Sequence, residues 1–318
     1  MIQTKTNVNQ DIVSRKPNYS RPHKKPRSSI KTKSTIIGWV FIGFSVFLIG
    51  LFYFYPMAQA LLLSFQSGTG TNLQYVGLDN YRRLLGDPTF HASVRNTVIY
   101  LLVQVPVMII LALLFSVLLN DKKLKFKGFY RTAIFLPCVT SLVAYSVVFK
   151  YLFGSDGLIN MMLINLSIIS QPIQWITDPF WAKITIIIAI TWRWTGYNMI
   201  FYLSALQNID NSIYEAARID GANAFQQFFK ITIPMLKPII LFTSITSTIG
   251  TLQLFDEVMN ITGGGPGNAT LTISQYIYNI SFKYTPDFGY AATVSYAIVF
   301  MIVFFSIIQF KVAGDKNV

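Results

Sequence analysis

Long apolar segments alternate with short polar ones along most of the chain. By hydropathy the apolar segments lie at about 36–63, 94–119, 128–152, 182–206, 239–257 and 290–311. Each is dominated by Leu, Ile, Val and Phe, and each is near the length of roughly 20 residues that a helix needs to cross a hydrocarbon core of about 30 Å. The pattern predicts an all-α membrane protein with six transmembrane helices.

The composition supports a membrane protein and sets the amino-terminal part apart. The chain is 53% hydrophobic and 12% charged, whereas a soluble domain carries roughly 25% charged residues. Residues 1–35 are polar, rich in Lys, Arg, Pro and Ser, and have no apolar face. We therefore expect 1–35 to be a disordered basic cytoplasmic tail and 36–318 to form the six-span domain.

The distribution of basic residues predicts the orientation of the spans. The net charge is +13, and Lys and Arg are concentrated in the tail and in the second and fourth gaps between spans. The other side has only Arg82, Arg83, Arg95, Lys150, Lys183 and Lys283. Because Lys and Arg near span ends accumulate in the cytoplasm, both termini are expected there. This sorting accounts for the charge without a nucleic-acid partner.

Nothing in the sequence indicates catalysis by this chain. Cys138 is the only cysteine, and the two histidines, His23 and His91, lie far apart, so no metal site is predicted. No phosphate-binding Gly-x-x-x-x-Gly-Lys-Ser/Thr sequence occurs. We expect no catalytic residue and no cofactor in the chain itself.

The polar segment at 207–238, between the fourth and fifth spans, is predicted to face the cytoplasm. Asp210 offers an N-cap for a helix that carries Glu215, and Gly221 is a natural break after it. A second apolar segment begins at Phe225 and is expected to stop at Pro234. The alternative, an amphipathic helix resting on lipid headgroups, fits less well because such helices favour a Lys-rich polar face.

The amino-acid sequence of this segment resembles the EAA loop of sugar-transporting ABC-importer permeases, of the maltose and multiple-sugar type. Further stretches over nearly all of 36–318 match as well. The matching stretches are Glu215-Ala216-Ala217, Asp220-Gly221-Ala222, Ile231 and Pro234, with Tyr75–Tyr81, Phe135-Leu136-Pro137, Gly157–Asn160, Leu206-Gln207 and Thr262–Pro266 elsewhere.

The resemblance implies a type I ABC importer permease fold in the bacterial cell membrane, with a cytoplasmic coupling helix between spans 4 and 5. It implies a second homologous permease as heterodimer partner, two ATPase subunits that carry ATP and Mg, and an extracellular substrate-binding protein. The residues that would contact the ATPase are Glu215, Ala216, Ala217, Asp220 and Gly221.

Two further segments lie in the predicted outer gaps. Residues 157–170 are apolar but too short to span, which is typical of a short interfacial helix. The Gly-rich turn at 262–270 corresponds to a region that lies under the binding protein in the family, so Gly263, Gly264, Gly265 and Pro266 are candidates for that contact. The alternative is a tight turn that only leads into the last span.

Spans 4 and 5 hold the candidate substrate residues. They combine aromatic rings with hydroxyls and amides, which suits a sugar that has hydroxyl edges and an apolar face. Resemblance to the maltose-type permease places the contacts at Gly196, Met199, Thr246, Ile249, Gly250 and Gln253, with Tyr197 and Asn198 as equal candidates. Ile249 and Gly250 stand where the maltose permease has an aromatic residue and an amide, which favours a different sugar and a wider cavity.

Other interpretations remain open at this point. The Ser and Thr residues of span 5 also suit close helix packing. The cargo of an ABC permease could be glycerol phosphate, an amino acid or a metal. An ion-coupled secondary transporter would show inverted repeats and an ionisable residue at mid-membrane, and no such repeat is evident. A structural membrane protein would not need the 207–238 segment.

Overall fold

The structure, a computed structural model, describes residues 29–68, 72–121 and 123–313. The chain divides into two compact units, Met1–Met57 and Ala58–Val318. Most of the predicted disordered tail, residues 1–28, lies outside the described residues. The first described helix begins at Ser29, ahead of the boundary that hydropathy places at 36.

The described residues are almost entirely helical. The first unit contains α1 (Ser29–Ile49), a π-helical turn (Gly50–Phe54) and the start of α2 (Tyr55–Ser64). The second unit contains β1 (Gln66–Ser67), β2 (Gln74–Tyr75), α3 (Asp79–Gly86), α4 (Pro88–Asn120), α5 (Lys127–Val139), α6 (Leu142–Leu152), α7 (Leu158–Asn165), α8 (Pro179–Gln207), α9 (Asn211–Ile219), α10 (Ala224–Gln227), a π-helical turn (Phe228–Thr232), α11 (Ile233–Leu252), α12 (Asp256–Ile261), α13 (Ile273–Tyr278), a π-helical turn (Asn279–Lys283) and α14 (Phe288–Ala313). The two strands pair antiparallel, with Gln66 opposite Tyr75.

The membrane character of the fold is confirmed. Four helical segments of the described residues are long and apolar enough to cross a membrane, and they overlap the first, second, fifth and sixth predicted spans: Ile37–Ser64, Pro88–Asn120, Ala224–Leu252 and Phe288–Val312. Helix α8 holds the predicted fourth span and is 29 residues long, but it is less apolar because it carries Arg193, Asn198 and several threonines. The count of six spans stays a prediction.

The predicted third span, 128–152, is broken. Helices α5 and α6 meet at an angle of 101° across Thr140 and Ser141, and the pair could count as one bent span. Pro137, in the last turn of α5, has no N–H to continue the helical hydrogen bonds. Thr140 then takes an extended conformation, with φ −74° and ψ 151°, which turns the chain.

Two expectations about the fifth span are wrong. The helix does not stop at Pro234 but continues from Ala224 to Leu252. The π-helical turn Phe228–Thr232 lies just before this proline, and such local adjustments re-satisfy the backbone groups that a proline leaves free. At the other end, α11 finishes at Leu252 and a new helix begins at Asp256. The span predicted at 239–257 therefore begins earlier and ends sooner.

Helix α4 lies at the centre of the second unit. It packs most extensively against α8 and also against α11, while α14 lies against α11 and α5 against α8. One core cluster joins α4 to α8 through Ala112, Leu113, Met199 and Tyr202. This arrangement leaves space between α4, α8 and α11, where the candidate site lies. The short helix α7 lies within the segment 157–170, where a short helix is predicted; its place at the membrane interface stays a prediction.

Candidate functional site

A cavity of about 200 Å³ lies between α4, α8 and α11. Its lining residues recur at intervals of three or four along each helix, because such positions share one face. They are Gln104 and Met108 of α4; Ile190, Trp194, Tyr197 and Asn198 of α8; Thr246, Ser247, Gly250 and Thr251 of α11; and Leu254, just after α11.

The lining is uncharged and mostly apolar, with amides and hydroxyls set into it. Amides and hydroxyls from all three helices face the space, and the rings of Trp194 and Tyr197 stand edge to face with centroids 5.8 Å apart. The Thr251 hydroxyl lies 3.0 Å from Gln104 Oε1, which links α11 to α4. Such a surface can hydrogen-bond a neutral polyhydroxyl molecule and cover its apolar face.

Half of the predicted substrate residues line this cavity, namely Tyr197, Asn198, Thr246 and Gly250. The other predicted residues, Gly196, Met199, Ile249 and Gln253, lie outside it. Ile249 and Gln253 stand three and seven positions after Thr246 and so share its helix face, but they do not border the cavity.

Gly196 and Met199 serve helix packing instead. A Cβ added at Gly196 would lie 2.0 Å from the carbonyl oxygen of Ile134, so this glycine allows α5 to approach α8 closely. Met199 is fully buried in the core cluster between α8 and α4.

The resemblance did not point to the wall that α4 contributes. Gln104 is 2% exposed and Met108 is fully buried, yet both border the cavity. A sequence signal exists, since Gln104 is an amide in the middle of a long apolar run, and polar residues within spans tend to mark a pathway or a helix contact.

Arg193 of α8 lies outside the cavity and stabilises the break between α5 and α6. Its guanidinium, 6% exposed, donates to the carbonyl oxygens of Pro137 at 3.2 Å, Cys138 at 3.3 Å and Thr140 at 3.1 Å. It also lies 4.9 Å from the ring centroid of Tyr145 in α6. A buried cation thus pairs with carbonyls that the end of α5 leaves free.

The coupling segment, residues 207–238, forms the short helix α9 and the first part of the long helical segment Ala224–Leu252. Asp210 caps α9 by accepting a hydrogen bond from the Ser212 N–H at 2.9 Å. Gly221, with φ +80°, reverses the chain as predicted. Asn223 and Gln226 then form a capping box that starts α10.

The surface of the coupling segment is exposed over the residues predicted to contact an ATPase. Glu215, Ala216, Asp220 and Gly221 are exposed, and Ala217 is half-buried. Beside them lie uncovered apolar side chains, of which Ile219 is 87% and Phe225 72% exposed. The Tyr214 hydroxyl lies 3.0 Å from Thr232 Oγ1, which joins α9 to the start of the long helix.

The Gly-rich turn at 262–270 is held by hydrogen bonds within it and by one residue of α4. The Thr270 hydroxyl donates to the Gly265 carbonyl at 2.7 Å, and Asn96 of α4 donates to the carbonyls of Asn268 and Leu271. Of the four predicted binding-protein contacts, Gly263 is exposed, Gly265 and Pro266 are half-buried, and Gly264 is buried against Gln275. The turn leads first into α13 and only then into the last span.

A polar cluster fastens α3, α13 and α14 near the start of α4. Arg83 and Asp287 form a salt bridge at 2.7 Å. Asp87 accepts hydrogen bonds from the hydroxyls of Tyr276 and, at 2.6 Å, Tyr290. Burial disfavours the ionised carboxylate of Asp87, but these bonds and those from two backbone N–H groups outweigh it and hold the pKa of Asp87 below its usual value.

Comparison with known families gives one match that covers most of the chain. Residues 93–313 match the family described as binding-protein-dependent transport system inner membrane component. The lactose transport system permease protein LacF of Rhizobium radiobacter is 56% identical over 92% of this chain and 98% of its own length. The trehalose/maltose transport system permease protein MalF of Thermococcus litoralis is 34% identical over 76% of this chain and 81% of its own.

Solved structures resemble the fold. A chain in the crystal structure of a bacterial ABC transporter involved in the import of the acidic polysaccharide alginate superposes with a TM-score of 0.79. It is 19% identical, and the match covers 91% of this chain and 99% of that one. A second structure, of the bacterial alginate transporter in complex with a periplasmic protein bound to alginate pentasaccharide, has a TM-score of 0.77 at 21% identity, covering 91% of this chain and 97% of that one.

Proposed function

Because the chain belongs to the family of binding-protein-dependent transport system inner membrane components, we propose that it is a permease subunit of an ATP-driven importer for a sugar. The observation that carries the choice of cargo is the cavity between α4, α8 and α11, whose lining is uncharged and partly aromatic and includes hydroxyls and amides from all three helices. The names of the similar permeases, for lactose, arabinooligosaccharides and trehalose or maltose, support a disaccharide or oligosaccharide.

The lining also argues against the other cargoes. Glycerol phosphate or another anion would need a cationic partner, and none of the lining residues is charged. An ion-coupled transporter would need an ionisable group in the pathway. Arg193 is the neighbour in sequence of the lining residue Trp194. Its guanidinium does not serve the cavity, because it is bound to the backbone carbonyls of Pro137 and Thr140.

The coupling segment transmits the conformational change of the ATPase subunits to the permease. In this proposal α9 docks into an ATPase subunit, with Glu215 as the polar anchor, Ala216 and Ala217 as close contacts, Asp220 beside them and Gly221 as the turn. Two ATPase subunits carry ATP and Mg, so the permease itself is not an enzyme. The exposed apolar side chains beside α9 are the surface that docking would cover.

The long helix that follows connects the docking surface to the cavity. Because α10, the π-helical turn and α11 form one uninterrupted segment from Ala224 to Leu252, movement of the coupling segment shifts Thr246, Ser247 and Gly250 directly. This continuity supports alternating access, in which ATP-driven closure of the ATPases opens the cavity to the outside.

The remaining partners complete the assembly. A second, homologous permease forms the other half of the pathway as a heterodimer, and an extracellular substrate-binding protein docks on the outer face, where Gly263, Gly264, Gly265 and Pro266 stay candidate contacts. Both termini lie in the cytoplasm, lipid surrounds the spans, and no nucleic acid is involved.

The test of the cargo is stimulation of ATP hydrolysis by the purified complete transporter. A panel should contain lactose, maltose, an arabinooligosaccharide, glycerol phosphate and an amino acid, each supplied with the cognate binding protein. Stimulation by neutral sugars alone is expected. Stimulation by glycerol phosphate or by the amino acid, with every sugar silent, would refute a sugar cargo.

A further inference from the structure

Two buried carboxamides meet at one sulfur atom on the cavity wall. Gln104 Nε2 lies 3.2 Å and Asn198 Nδ2 3.3 Å from the Sδ atom of Met108. The two amides are 2% and 1% exposed, and they come from different helices, α4 and α8. Each amide therefore directs one hydrogen at the same thioether.

This arrangement leaves hydrogen-bonding capacity unused. A thioether is a weak acceptor, whereas buried amides ordinarily pair with oxygen. Asn198 Oδ1 is buried and accepts no hydrogen bond at all. An unpaired buried acceptor is costly, so the wall holds one free acceptor and two weakly used donors.

The other contacts of the amides hold them in place. The Thr251 hydroxyl lies 3.0 Å from Gln104 Oε1 and 2.9 Å from the Ser247 carbonyl, between two acceptors of the cavity wall. Asn198 Nδ2 also donates to the Trp194 carbonyl, one turn back in α8, at 3.1 Å. Each amide can therefore give up its hydrogen bond to Met108 for a bond to a ligand. The Asn198 oxygen, which has no partner, can accept a further bond.

We propose that Gln104 and Asn198 form a clamp for two neighbouring hydroxyls of one sugar ring. The amide N–H groups leave the Met108 sulfur and donate hydrogen bonds to the hydroxyl oxygens, while Asn198 Oδ1 accepts a hydrogen bond from one of the hydroxyls. Met108 is a positioning residue that holds both amides when no sugar is bound. This inference rests on the proposed sugar import and identifies which atoms read the sugar.

The size of the cavity indicates how many sugar units it can hold. Its volume of about 200 Å³ is below the roughly 300–1,000 Å³ of pockets that enclose drug-sized ligands. The clamp therefore holds one ring, whose apolar face lies on the side of Trp194 and Tyr197, and the rest of an oligosaccharide extends beyond this cavity. Specificity at this site concerns one terminal unit.

The experiment uses the complete transporter in proteoliposomes with its binding protein. Uptake of a transported sugar is compared with uptake of its monodeoxy analogues, in the wild type and in the variants Gln104→Met and Asn198→Leu. Each variant is expected to raise KM about tenfold, equivalent to one lost hydrogen bond, and to lose the discrimination against one deoxy analogue. Gln309→Met is the matched control, since Gln309 donates to Ser244 and Thr248 away from the cavity; its KM should match the wild type.

Met108→Leu gives a result of opposite sign and guards against variants that fail to assemble. It preserves volume but removes the sulfur that competes with the sugar, so KM should fall. An unchanged KM in Met108→Leu, or retained discrimination in assembled Gln104→Met and Asn198→Leu, would overturn the clamp. If no sugar is taken up by the wild type, it is the proposed function that fails.

Discussion

Replacing Gly196 by alanine is expected to disrupt the packing of α5 on α8. The added Cβ would lie 2.0 Å from the Ile134 carbonyl oxygen, 2.8 Å from its carbonyl carbon and 2.9 Å from the Cα of Phe135. All three atoms are backbone, so no side-chain rotation relieves the contact, and the helices must separate by more than 1 Å to restore an ordinary contact of roughly 3.4 Å or more.

The cost of this separation exceeds the gain from a better helix former. Overpacking of a well-packed interior costs about 1–3 kcal/mol and occasionally more, and the backbone contact places Gly196→Ala at the upper end. Alanine recovers at most about 1 kcal/mol of helix propensity. The Arg193 hydrogen bonds to α5 lie three residues away and would lengthen as well.

Gly250→Ala is the matched control for stability. Gly250 is also helical, but its added Cβ meets nothing within 4 Å, so this substitution should leave stability unchanged or raise it. Thermal unfolding of the detergent-purified complex, followed by size-exclusion chromatography, compares the two. A Gly196→Ala complex as stable as the Gly250→Ala complex would refute the close approach of α5 and α8.

Three further predictions concern other parts of the permease. Glu215→Lys should abolish recovery of the ATPase with the tagged permease, while Glu215→Gln should retain part of it; equal recovery for both would contradict docking through this side chain. Arg193→Met should lower the melting temperature because three carbonyls lose charge-assisted hydrogen bonds, each worth about 1.5–3 kcal/mol. Arg193→Lys should restore part of the loss. A wild-type melting temperature in Arg193→Met would refute the conclusion that Arg193 stabilises the break between α5 and α6. Because the pKa of Asp87 is lowered, its contribution to stability should be complete above about pH 4, the usual carboxyl value, and decline as pH falls through the folded pKa. Asp87→Asn should remove this acid sensitivity in a pH series of melting curves. The same pH dependence in Asp87→Asn as in the wild type would contradict this role of Asp87.

The sequence predicts those parts of the fold that depend on local pattern. Apolar length places most of the spans, and the N-cap at Asp210 and the turn at Gly221 follow from residue chemistry that acts over one helical turn. The break at Thr140 is different, because it depends on Pro137 together with Arg193, which lies far along the chain. Hydropathy averages over such a break and reports a single span.

The candidate site shows the same division. Residues of α8 and α11 can be proposed from polar and aromatic side chains within spans, and Asn198 and Gly250 do line the cavity. Gln104 becomes part of the site only because α4 packs against both α8 and α11, a tertiary arrangement that periodicity does not encode. Pro234 likewise looks like a helix stop until the π-helical turn before it is seen.

ATP-dependent uptake of a radiolabelled sugar, chosen as one that stimulates ATP hydrolysis by the complete transporter, into proteoliposomes that contain the purified transporter tests the central claim most directly. The tagged permease is recovered with its partners, reconstituted, and supplied with binding protein outside and ATP inside. Accumulation that requires both, and that Glu215→Lys abolishes, is the predicted result. Uptake by the permease alone, driven by an ion gradient without ATP, would contradict an ATP-driven importer.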